Sequence, residues 1–124
     1  MIKEDYVSFE TAKLLKDKGF NIPTRSYRIL DKKHISTDWK QPLSEGIYLP
    51  RPTLQMAMKW LREVHRIEAH VVLSQLNTND TREYMYDLFS NTVNRDFKTV
   101  QSYGFETYEQ ACESAIKYCL ENLI

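Results

Sequence analysis

The chain has 124 residues, 42% of them hydrophobic and 27% charged, and its seventeen basic side chains balance seventeen acidic ones. That length suits one domain, and the composition lies near the globular mean, which excludes disordered, collagen-like and coiled-coil chains. Zero net charge excludes a global positive field of the kind that holds a protein on nucleic acid or on an anionic membrane. No apolar run reaches the roughly 18 residues of a membrane span. Met1-Ile2-Lys3-Glu4-Asp5 turns acidic where a secretory signal becomes hydrophobic, so a cytoplasmic location without a membrane partner is expected.

A helix is predicted over 8–18. Ser8 is a good N-cap, Phe9, Ala12 and Leu15 form a narrow apolar stripe, and Gly19 supplies the left-handed residue that closes a helix, with Phe20 placed to pack back on Leu15. Leu14 points away from that stripe, toward either a later loop or a partner. Residues 21–51 are predicted to be irregular and extended, because they hold Pro23, Pro42 and Pro50 and have no helical period. Within them Tyr27–Leu30 and Ile47–Leu49 are rich in strand-forming residues and suit an edge pair, joined by a polar connection, Lys32–Gly46, that is interrupted by Trp39.

A second helix is predicted over 53–66, capped by Thr53. Its apolar arc, Leu54, Met56, Ala57, Met58, Trp60, Leu61 and Val64, spans about 200° of the helical wheel, which implies burial on two sides. Lys59, Arg62 and Arg66 share the opposite face. Three strands follow within 67–103. Ile67, Ala69, Val71 and Leu73 alternate with Glu68, His70, Val72 and Ser74, so one face of the first strand meets a core. Asn77–Asp80 and Asn91–Arg95 are turns around an aromatic second strand, Glu83–Phe89, and a third strand lies near Phe97–Tyr103. Thr107 with Gln110 is a capping box that opens a helix over 107–123. Its buried stripe is Tyr108, Cys112, Ala115, Ile116, Cys119, Leu120 and Leu123, while Gln110, Glu113, Ser114, Lys117 and Glu121 face water. The expected fold is a single α+β domain, an antiparallel sheet of three to five strands with helices packed on one face.

Charge is unevenly spread, running from +5 over residues 1–66 to −5 over 67–124. Lys59, Arg62 and Arg66 are the candidate binding residues, since three cations on successive turns neutralise about three phosphates; the competing reading is a solvated helix face. Cys112 and Cys119 sit seven apart on one helix, about 10.5 Å between α-carbons, too far for a disulfide. Placed among Ala115, Ile116 and Leu120, with Glu109, Glu113 and Glu121 near in sequence, they read as inert core thiols with raised pKa rather than nucleophiles. His65 and His70 do not share a face with those sulfurs, so no metal is expected, and His65 at a helix C-terminus suits an imidazole held partly protonated by the helix dipole. No cofactor motif and no catalytic elbow are present, and an enzyme is not expected.

Helix, three strands, helix from Thr53 onward is similar to the layout of double-stranded RNA-binding domains, but Phe105-Glu106-Thr107-Tyr108-Glu109 puts acid where that family presents lysine to phosphate. Val7–Leu15 followed by Pro23–Leu30 resembles the helix-turn-helix opening of excisionase-type proteins, with a longer turn, Lys16–Ile22. Tyr6–Leu15 with Lys18-Gly19-Phe20, Pro52–His65 and Tyr108–Ile124 together resemble a family of small uncharacterised proteins from anaerobic gut bacteria and their phages or mobile elements. That resemblance implies no activity. The functional expectation is a non-enzymatic binding or regulatory module acting through protein–protein contacts or self-association, through a strand edge and the aromatic set Tyr84, Tyr86, Phe89, Phe97 and Tyr103. The alternative is a nucleic-acid-binding accessory protein that uses the basic helix face.

Overall fold

A computed structural model describes residues 2–24, 26–29, 34–36, 48–76, 82–91 and 97–124. The class is α+β with antiparallel sheets, as the pattern predicts, and the strands are divided between two three-stranded sheets. Two compact units are present, Met1–Ala57 and Met58–Ile124. Among the described residues no helix is long and apolar enough to cross a membrane.

In the N-terminal unit, α1 (Phe9–Asp17) starts where the Thr11 N–H donates to Ser8 Oγ at 3.1 Å. It closes with both bonds of a Schellman motif: the Phe20 N–H reaches the Leu15 carbonyl at 2.9 Å and the Gly19 N–H reaches that of Lys16 at 3.0 Å. Gly19 has φ 100, so a side chain there would be strained. Phe20 and Leu15 are both buried, as the spacing predicts, and Leu14 is half-buried. β1 (Ser26–Ile29) lies between β2 (His34–Ser36) and β3 (Tyr48–Arg51), antiparallel to each. The expected pairing of the two extended segments is present, with Tyr27 opposite Pro50 and Arg28 opposite Leu49. β2 falls inside what reads as polar connection; its three residues are too few to show a period. Pro50 is tolerated because β3 is an edge strand. α1 packs on β3. The N-terminal segment is clamped beside it, the Val7 N–H donating to the Pro52 carbonyl at 3.0 Å and the Leu54 N–H to that of Asp5 at 2.9 Å.

α2 (Leu54–His65) crosses the boundary between the units and is capped as expected, the Met56 N–H donating to Thr53 Oγ1 at 3.1 Å. Its apolar arc is narrower than the wheel suggests. Leu54, Ala57, Met58, Trp60 and Leu61 are buried, whereas Met56 is 41% and Val64 58% exposed. The helix also ends earlier than predicted. β4 (Ile67–Leu76) begins two residues after His65, so the reversal rests on Arg66 alone, at φ 57. Arg66 therefore leaves the helix face on which the sequence places it.

The C-terminal unit is a meander of β4, β5 (Arg82–Asn91) and β6 (Phe97–Phe105), covered on one face by α3 (Tyr108–Tyr118). Thr107 caps α3 as predicted, accepting from the Gln110 N–H at 3.0 Å. Beyond Tyr118 the last turn widens into a π-helix, Cys119–Leu123, which still buries Cys119 and Leu120. Ile67, Tyr86, Leu88, Ala111, Cys112, Ala115 and Ile116 are buried residues of this unit. Tyr86 braces its layers. The ring stacks on Phe105 with centroids 5.7 Å apart, and the hydroxyl is hydrogen-bonded to Ser102 of β6 and Ser114 of α3. Ser114, expected to face water, thus bonds inward. Gly104, at φ 86, sits in a bulge where two residues of β6, 103 and 104, oppose one of β5. That bulge requires the left-handed conformation.

Candidate functional site

Strand alternation divides the C-terminal sheet into two unlike faces. Tyr86, Leu88 and Ser90 of β5 point under α3, which leaves Met85, Asp87 and Phe89 on the outer face. Register aligns His70 of β4 and Gln101 of β6 with Asp87 on either side, and Val72 with Met85. The imidazole of His70 tilts over Phe89 with centroids 5.1 Å apart, and the Tyr103 hydroxyl donates to Gln101 Oε1 at 2.9 Å. Val72 is 46% and Tyr103 61% exposed. At the centre of this face Asp87 Oδ1 is buried and, among the described residues, has no hydrogen-bond donor. A carboxylate oxygen in that position is costly to leave unsatisfied, about 1–3 kcal/mol. Among the described residues β4 pairs with β5 alone, so its outer backbone edge has no strand partner along the run from Ile67 to Leu73, which contains neither proline nor lysine.

The expected aromatic surface is divided by the same alternation. Tyr86 is buried and Tyr84 meets Tyr108 of α3 edge-on, 6.2 Å between centroids, so neither is offered to a partner. Phe89 and Tyr103 remain on the outer face, and the side chain of Phe97 lies outside the described residues. Lys59 and Arg62 are exposed on α2, and Arg66 is exposed just beyond it. Left-handed backbone favours glycine or asparagine, so an arginine there is held against its own preference.

Cys112 and Cys119 are fully buried, and burial pushes their thiols up to about 11 and about 12 respectively. Such thiols remain protonated and inert at neutral pH. His65 departs from expectation. Its ring meets Trp60 edge-on at 4.6 Å, its Nε2 is buried without a partner among the described residues, and burial lowers its pKa. Desolvation outweighs the helix dipole here and favours the neutral imidazole. Among the described residues no three His, Cys, Asp or Glu side chains come together to hold a metal ion.

A second feature lies in the N-terminal unit and is missed by sequence reasoning. Arg51, at the end of β3, donates from Nε to the Val7 carbonyl at 2.8 Å, and its backbone N–H donates to Thr24 Oγ1 at 2.9 Å. Its guanidinium carbon lies 4.6 Å from the Phe9 ring centroid and 5.5 Å from that of Tyr6. Arg51 lines an open cleft of about 260 Å³ together with Glu4, Tyr6, Pro23, Thr24, Thr53 and Met56. The available signal is one cation flanked by Pro50 and Pro52 beside Leu49, all three of them buried.

No family model, curated protein or solved structure matches the chain.

Proposed function

We propose that this chain is a non-enzymatic binding module whose C-terminal sheet receives an extended, basic segment of a partner protein along the edge of β4 and over the outer face. The observation that carries this reading is the buried Asp87 Oδ1, without a donor among the described residues, on the same face as the exposed apolar surfaces of Val72 and Tyr103. A partner lysine or arginine that displaces the side chains covering that oxygen would satisfy it, and backbone amides of an added strand would pair with β4. Glu68 and the net charge of −5 over residues 67–124 favour the same basic partner.

The test compares affinity capture from the native host by the unaltered chain and by a Val72→Lys, Tyr103→Lys variant, with far-UV circular dichroism as the control for folding. Expected is a partner retained by the first and lost by the folded variant. Equal capture by both would overturn the reading.

Arg66 supports a second reading, in which an arginine is kept at a glycine-favouring position because its charge, with Lys59 and Arg62, meets nucleic-acid phosphate. Filter binding of DNA and RNA at low salt tests it. Retention that is lost when the three residues are neutralised supports this reading, and absence of retention removes it.

A further inference from the structure

We propose that the Arg51 cleft is a binding site for a small monocarboxylate with a compact apolar body. The Nε hydrogen bond to the Val7 carbonyl and the packing against Phe9 hold the guanidinium in one orientation before any ligand arrives. Little side-chain entropy is then lost on binding, a general source of affinity in preorganised sites. With Nε engaged, the two terminal amino groups form the remaining fork, and among the described residues neither makes a hydrogen bond. Two parallel N–H groups match the two oxygens of a carboxylate.

The rest of the cleft sets the ligand's body and charge. Tyr6, Pro23 and Met56 supply apolar wall, and a volume of about 260 Å³ admits a ring or a short branched chain. Glu4 stands exposed on the same cleft. Its charge opposes bound anions in general and so weakens their attraction to Arg51. Affinity beyond that of a bare anion therefore has to come from an apolar body against Tyr6, Pro23 and Met56.

Titration of the isotopically labelled full chain with benzoate, acetate and inorganic phosphate, followed by amide NMR shifts, tests the assignment. Benzoate is expected to saturate with a dissociation constant on the order of 1 mM, shifting residues 4–7, 23–24 and 51–56. Acetate and phosphate are expected to bind more weakly at the same amides. Arg51→Gln should weaken benzoate by about tenfold or more. Because Arg51 also braces Val7, that variant could unfold, and Glu4→Gln at the exposed rim gives an independent reading, a tightening of about threefold. Absence of saturable shifts, phosphate binding as tight as benzoate, or a benzoate affinity indifferent to Glu4→Gln would each overturn the proposal.

Discussion

The two faces of the C-terminal sheet are built from the same three strands to different ends. Under α3 a buried polar group has its partners, since the Tyr86 hydroxyl meets both Ser102 and Ser114, and the surrounding side chains are apolar and closed to water. On the other face Asp87 keeps a buried oxygen without a donor among the described residues, while Val72 and Tyr103 are exposed. Satisfaction on one side and its absence one residue away separate what holds the unit together from what it offers outward.

The sharpest way to break that comparison is to truncate both faces. Leu88→Ala, under α3, is expected to cost about 3 kcal/mol in urea unfolding, because it opens a cavity at a fully enclosed site. Val72→Ala on the outer face is expected to cost about 0.5 kcal/mol or less. Equal losses would mean that the outer face is also core. Tyr86→Phe keeps the ring stack and removes the hydroxyl from both serines, so a loss of about 1–2 kcal/mol is expected in the same measurement. Arg66→Gly relieves the left-handed strain between α2 and β4 and should raise stability by about 1 kcal/mol, less the entropy glycine adds to the unfolded chain. A neutral or destabilising result would mean that the Arg66 side chain supports the fold.

The smallest effect concerns pH. His65 has its folded pKa lowered below the ordinary 6.5, so the unfolded chain takes up its proton more readily. The stability linked to this group is complete above that ordinary value and declines as pH falls through it toward the folded pKa. Urea midpoints measured on either side of pH 6.5 should therefore diverge more for the unaltered chain than for His65→Gln. Parallel behaviour would assign the acid sensitivity to other groups.

Elements whose signals are local were legible in the sequence. Ser8, Gly19, Thr53 and Thr107 mark helix ends because caps act within three or four residues, and the alternation from Ile67 reveals β4 because a sheet with one covered face imposes period two. What depends on distant residues was not. β2 has three residues and finds its place through pairing with β1. Arg51 becomes a site through Val7, 44 residues earlier, and Thr24, 27 residues earlier, contacts that leave no periodic trace. The division of the aromatic set follows from the alternation already visible in β4, carried across register to β5 and β6. The early end of α2 followed from a backbone angle at Arg66 that residue identity argues against.

The outer face as a binding surface rather than a stabilising one is tested most directly by urea unfolding of Asp87→Thr. Removing a buried oxygen that has no donor among the described residues, and replacing aspartate with a strand-favouring residue, should raise stability by about 1 kcal/mol. A loss of stability of that size would contradict the account, because it would show that Asp87 serves the fold.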